Sequence, residues 1–239
     1  MIMKIRSEKK VNISVGKHNI PLLVRKNKQS KNYKLTFDKK NLRALISIPK
    51  YITFIQGIKF AEEHKDWLLS QLEEIYPINY ISDGTKLLFN DEIKEVIFLN
   101  NNENKVYTTK DNIYVIDEKS AHSKRLQTWI KKELLKKVSS IVTRLSNELD
   151  VKTNNIKLSN SFSSWGYCNS NRDISINWRL AFSPHYVLKY IIAHELCHLR
   201  EFNHGKNFWS LVDSVCPEMQ EAITWLKKNE NNLYKLRFN

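Results

Sequence analysis

His194, Glu195 and His198 stand in the order His-Glu-Leu-Cys-His, and His204 follows shortly after the second histidine. Four residues advance a helix by about 400°, so His194 and His198 project from one face, one turn apart. That spacing lets two imidazoles hold one metal ion, and the glutamate beside the first can take a proton from a water on the metal. His204 supplies a third ligand. A fourth position left open for water or substrate is the mark of catalytic zinc, whereas structural zinc closes all four. Glu218 or Glu221, further along the chain, is the alternative third ligand, but the turn carrying His204 lies directly beside the paired histidines. The pattern predicts a metal-dependent hydrolase.

The neighbouring residues must form this helix and bury it. Ser183-Pro184 offers a cap and a proline suited to a first turn. Val187, Leu188, Ile191, Ile192, Leu196 and Leu199 make the segment apolar enough for a core. Polar His194, Glu195 and His198 on a core helix need partners, and a metal satisfies them. Cys197, within the motif, reads as a small core residue rather than a ligand. After the helix the chain must turn back to bring His204 to the metal. Asn203, which tolerates a left-handed backbone, and Gly205 provide for that turn.

Short strands are expected before the helix, at 156–158, 162–168 and 174–178. The stretch from Trp165 to Cys168 can line a cleft and pair with an extended peptide, so both residues are candidate substrate contacts. Packing of Trp165 beneath the site is its alternative role. Arg179, with Arg172 and Arg200 near it in sequence, is the candidate contact for an anionic group. His18, His64, His122 and His185 lack a partner at ligand spacing and are read as surface residues.

The first half of the chain reads as β-structure. Val11, Ile13 and Val15 alternate with polar residues, as do Tyr33, Leu35 and Phe37, then Leu42, Ala44, Ile46 and Ile48. Thr53 is placed to cap a helix over about 53–75, which Pro77 ends. Further strands are expected at 86–89, 93–99, 105–108 and 113–116, with turns at Asn90-Asp91 and Lys110-Asp111-Asn112. A long helix over about 120–149 follows from Leu126, Ile130, Leu134, Val138, Ile141 and Leu145 at helical spacing. The domain boundary is expected just before it, separating a β-rich region with one helix (1–119) from a metallohydrolase domain (120–239). No internal repeat is visible.

Of 239 residues, 39 are Lys or Arg and 25 Asp or Glu, a net charge of +14. Such a balance favours anionic partners, nucleic acid among them; a lysine-rich composition that merely coats the surface is the blander account. No aromatic RNA-binding pattern or Cys-rich finger supports nucleic-acid recognition directly. Only three cysteines occur, Cys168, Cys197 and Cys216. The charged start, residues 1–10, predicts no secretory leader, and no apolar run approaches the ~18 residues of a membrane helix. A reducing cytoplasm is the expected location.

Three segments carry a resemblance to a known family: Ser164-Trp165-Gly166-Tyr167-Cys168, Ile176-Asn177-Trp178-Arg179-Leu180, and the histidine motif through Leu199 with Asn203-His204 and Phe208-Trp209. Together they resemble the YgjP-like metal-dependent hydrolases, relatives of the SprT-like zinc metalloprotease domains. The resemblance implies an α+β chain: a β-rich N-terminal half and a zincin-like catalytic half with an HExxH helix and a small antiparallel sheet. It implies His194, His198 and His204 as zinc ligands and Glu195 as catalytic acid/base. Peptidase is the activity attributed to such proteins, with nucleoside triphosphate (UTP) pyrophosphatase as the alternative and a nucleic-acid-associated metalloprotease behind both. The histidine spacing also matches the metzincins, but Glu201 stands where they carry glycine. Ser164 and Tyr167 depart from the family's usual arginine and serine.

Overall fold

The computed structural model describes residues 8–238; residues 1–7, which hold most of the charged start, and residue 239 lie outside the described residues. By their internal contacts the residues form two compact units, Met1–Pro77 and Ile78–Asn239.

In the first unit, β1 (Glu8–Val15), β2 (His18–Asn27), β3 (Lys34–Asp38) and β4 (Arg43–Pro49) form one sheet in the order β1-β2-β4-β3. β2 and β4 are parallel and the other pairs antiparallel. Gly16, at φ 56, makes the tight turn that pairs Val15 with His18, a left-handed conformation that glycine adopts without a Cβ clash. Alternation works as expected: Ile13, Val15, Leu22, Val24, Ile46 and Ile48 are buried in one cluster with Ala61, Leu68 and Leu72 of two helices, α1 (Phe54–Glu63) and α2 (Lys65–Glu73). Thr53 caps α1 in a reciprocal capping box with Gln56. The single helix expected over 53–75 is instead two. His64 leaves helical geometry at φ −112, and its ring stacks on Phe60 and donates from Nδ1 to the Phe60 carbonyl.

The second unit begins with β5 (Asn79–Tyr80), β6 (Lys86–Phe89), β7 (Glu92–Asn100), β8 (Lys105–Thr108) and β9 (Asn112–Asp117), followed by the long helix α3 (His122–Glu148). β6 to β9 form a sheet in the order β6-β7-β9-β8, with β7 and β9 parallel. Strand order and strand senses therefore repeat those of the first unit, a repeat of topology that leaves no trace in the sequence. Asn90 and Asp91, both at positive φ, make the β6–β7 hairpin turn. Leu87, Phe89, Val96, Ile113 and Val115 join the same core cluster as Leu126, Ile130, Leu134 and Val138 of α3. This shared core is why the units divide at Pro77 and not near residue 119: the second sheet packs on the helix that the sequence reading set apart from it.

His122 corrects the surface reading. It is 3% exposed, stacked on Phe98, with its Nε2 bonded to the Leu99 carbonyl. Nearby, buried Asp117 is held below the usual carboxylate range by its hydrogen bond and ion pair with Arg125.

After α3 come β10 (Ile156–Ser159), β11 (Gly166–Cys168) and β12 (Ile174–Asn177), a 3-10 turn (Trp178–Phe182), α4 (His185–Cys197), α5 (Lys206–Val215), α6 (Met219–Lys235) and β13 (Leu236–Arg237), which pairs with β5. The small sheet runs β10-β12-β11. Its β11 is antiparallel to β12 as expected, while β10 is parallel. Among the described residues no helix is long and apolar enough to cross a membrane.

The α3 stripe is the core's spine. Ile130→Ala is expected to lower unfolding free energy by about 2–5 kcal/mol, since the fully buried side chain leaves a cavity that packed neighbours cannot fill. Urea unfolding followed by tryptophan fluorescence measures this.

Candidate metal centre and cleft

Helix α4 is buried along most of its length, with Val187, Leu188, Ile192, Ala193, Leu196 and Cys197 each at most 1% exposed. Its start differs from the sequence reading. Ser183 turns its hydroxyl back to the Leu180 carbonyl, and the first free helical N–H, on His185, donates to Asp91 Oδ1 at 2.7 Å. The cap thus comes from the β6–β7 hairpin rather than from the adjacent serine.

His194 and His198 project from α4 as their spacing requires, and the following turn returns His204 to them. His204 Nε2 lies 3.2 Å from His194 Nε2 and 3.1 Å from His198 Nε2. The turn is built by backbone bonds from Leu199, Arg200 and Glu201 to Leu196 and Cys197 carbonyls. Neither Asn203 nor Glu201 is among the residues at positive φ, and Gly205 is extended at φ −78. The turn therefore needs no glycine at 201. Instead the Glu201 carbonyl accepts from His198 Nδ1 at 3.2 Å, which leaves the lone pair on Nε2 facing its partners.

These three nitrogens fit a divalent cation. Burial, with the neighbouring imidazoles adding to it, pushes His194 down to about 4, and burial likewise lowers His198. Both rings are thus neutral near pH 7, the form that binds metal. With His204 Nε2 within 3.2 Å of the other two and all three ligand atoms within 4.8 Å of one another, one cation can be met by every ring at once, whereas a shared proton satisfies fewer of the contacts. His194, His198 and His204 are the one such group among the described residues. Phe208, fully buried, packs its ring 4.6–5.0 Å from all three imidazoles, and Trp209 stacks on His204 at 5.6 Å. Helix α5 so supplies an aromatic wall behind the triad.

Glu195 faces the small sheet. The residue is 7% exposed, and its carboxylate lies against Gly166 and accepts the Cys168 backbone N–H. Burial raises it to about 7, partly opposed by that hydrogen bond. A Cβ on residue 166 would come within 2.5 Å of Glu195 Oε1, so glycine there is what admits the carboxylate. Glu195 and His198 line a cleft of about 660 Å³ with Gly166, Tyr167, Cys168, Arg172 and Phe202.

Of the candidate substrate residues, Cys168 lines this cleft and the other two do not. Trp165 stacks on Tyr234 at 4.5 Å, the packing role. Arg179 is 1% exposed, donates to Asn160 Oδ1 at 2.8 Å and lies over the Phe162 and Trp178 rings. Burial pushes its guanidinium down to about 9, with Arg237 adding to the shift. It cannot meet an anion in the cleft, which corrects the sequence reading. Arg200 donates to the Leu149 carbonyl, leaving Arg172 as the cation at the cleft. Glu218 is paired with Lys189, and neither it nor Glu221 joins the triad. Ser164 bonds to Ser161 instead of reaching the cleft. The sequence reading missed Phe202, 83% exposed at the cleft. An isolated aromatic in a polar turn between two of the histidines was its only signal.

The model of the YgjP-like metallopeptidase domain matches residues 31–229. Among solved structures, the chain is similar to the metallopeptidase zymogen jannalysin of Methanocaldococcus jannaschii at 21% identity and a TM-score of 0.32, covering 37% of this chain and 94% of that one. No curated protein matches the chain.

Gly166→Ala tests the carboxylate's seat. The new methyl must displace Glu195, so hydrolytic activity should fall by about 100-fold while bound metal, measured by atomic absorption, stays at the wild-type level.

Proposed function

Since this chain belongs to the YgjP-like metallopeptidase family and is therefore a metal-dependent hydrolase, we propose that it is a zinc peptidase. In this reading His194, His198 and His204 hold the ion and Glu195 is the general base. The observation that carries it is the convergence of three Nε2 atoms, two from α4 and its C-cap and one from the turn that follows, with a buried carboxylate on the same helix. Three imidazoles suit zinc and leave it an open position. When bound, the ion supplies Lewis acidity to a water and to the scissile carbonyl.

The remaining work falls to the protein's own groups. Glu195, shifted to about 7, is matched to taking the proton of the attacking water and returning it to the leaving amine near neutral pH. The outer edge of β11 borders the cleft, where an extended peptide can add as a further strand. Exposed Tyr167 and Phe202 offer apolar surface to its side chains, and Cys168 lies on the same wall. His198 is fixed through Nδ1 by the Glu201 carbonyl, which keeps its Nε2 directed at the ion.

The pyrophosphatase reading fares less well. A triphosphate needs several cations around it, and Arg172 is the one arginine or lysine lining the cleft among the described residues. With Arg179 buried elsewhere, the site suits a neutral or weakly charged backbone better than a polyanion. Its three unpaired thiols suit a reducing compartment, and we place the enzyme in the cytoplasm.

Purified wild-type protein and three variants decide the matter on casein and on each nucleoside triphosphate. Glu195→Gln should keep its zinc and lose 10²–10⁴-fold or so in peptide hydrolysis, the usual scale of general-base catalysis. His204→Ala should lose the metal, whereas Glu218→Ala should retain it. Turnover of UTP with none of casein would replace the peptidase reading. Turnover of neither that depends on metal and Glu195 would remove it.

A further inference from the structure

The metal triad lies wholly in the second unit and leaves the first without a task. Its charge is distributed in a way that composition bias does not explain. Residues 8–52, the four strands and their turns, hold twelve lysines and arginines against two acids, Glu8 and Asp38. Residues 53–77, the two helices and their ends, hold two lysines against five acids. A general excess of lysine would coat both layers. Here the sheet layer is strongly cationic and the helical layer acidic, so the unit carries a directed field.

Strand register shows where the cations lie. α1 and α2 cover the face of Leu22, Val24, Ile46 and Ile48. On the other face Glu8, Arg25, Ser47 and Lys34 stand in one row across the sheet, and Lys10, Leu23, Leu45 and Thr36 in the next. Arg43 and Asp38 follow, opposite each other. The two acids each pair with an arginine already, Glu8 with Arg25 at 3.3 Å and Asp38 with Arg43 at 2.9 Å. Exposed Lys10 and Lys34 have no acid within ion-pair distance among the described residues, nor do Lys28 and Lys31 in the β2–β3 loop beside the Arg25 row. A groove of about 560 Å³ crosses this face, lined by Lys10, Asn12, Leu23, Asn41 and Arg43.

We propose that this open sheet face docks nucleic acid through its sugar-phosphate backbone. Charge complementarity selects a polyanion, and the amide of Asn12 adds a neutral donor of the kind that phosphate oxygens accept. The face offers little of the exposed apolar surface that an anionic membrane requires: Leu23 is 6% exposed, and Pro21, opposite Asn12, is a small ring that carries no long apolar side chain. No aromatic side chain stands in these rows, and exposed Tyr51, whose hydroxyl donates to the Lys31 carbonyl, lies beyond the end of β4, so contact is chiefly to backbone and sequence preference is slight.

Fluorescence anisotropy of the full chain with a labelled, mixed-sequence 20-base-pair DNA and a 20-nucleotide RNA tests this across a range of KCl concentrations. Binding at 50 mM KCl is expected, with log affinity falling linearly against log salt. The combined variant Lys10→Gln, Lys28→Gln, Lys31→Gln and Lys34→Gln should weaken binding at least about tenfold and make the salt slope shallower by about 3. A control with the same net charge, Lys132→Gln, Lys152→Gln, Lys227→Gln and Lys228→Gln, should bind within about twofold of wild type. Melting curves must show both variants folded, and surface lysines make that the expected result. No binding at 50 mM KCl, equal weakening in the control, or equally tight binding of poly-glutamate or phosphatidylserine vesicles would overturn the proposal.

Discussion

A helix sunk in a core has nowhere to hide polar side chains, and α4 carries three of them at its end. Desolvation keeps His194 and His198 neutral and holds Glu195 near 7. The same burial that penalises these groups prepares them, giving ligands with free lone pairs and a carboxylate able to accept a proton. The rest of the second unit follows from keeping α4 in that position. α3, α5 and α6 pack around it, Phe208 closes the space behind the imidazoles, and β11 lays a glycine against the one side where the carboxylate must pass. Loosening that packing would rehydrate all three groups at once.

What the sequence disclosed and what it hid divide along a physical line. The histidine spacing, the apolar run of α4 and the Leu126-to-Leu145 stripe of α3 are local periodicities, and the structure has each where the spacing puts it. Long-range partners were not legible. Arg179 sits near the motif in sequence, yet nothing local reveals that Phe162, Trp178 and Asn160 enclose its guanidinium. His122 reads as a surface residue because it has no partner at ligand spacing, but Phe98 arrives from a strand far upstream. The helix cap expected from Ser183 comes from Asp91. The turn after α4 shows a subtler limit. Composition suggested left-handed residues, whereas a carbonyl-to-imidazole bond shapes it without any.

The repeated order of the two four-stranded sheets carries a related lesson. β1-β2-β4-β3 and β6-β7-β9-β8 share strand senses, each with its middle pair parallel. Their side chains have little in common. One sheet buries its inner face under two short, acidic helices and presents cations on the other; the second packs on the long α3 and joins the core that holds the metal helix. Backbone pairing fixes topology, but which face is apolar fixes what a sheet can be built into.

Asp91 gives the β6–β7 hairpin a part in the catalytic half that its place in the chain conceals. Its carboxylate meets the amide of His185, the first residue of α4, across ninety-four positions of sequence. A protein trimmed to the segment from residue 120 onward would keep His194, His198, His204 and Glu195. It would also begin α4 with an unsatisfied donor and lay bare the side of α3 that Leu87, Phe89 and Val115 cover. A piece able to hold the metal helix in place therefore includes β6 to β9, upstream of everything the histidine motif itself would suggest.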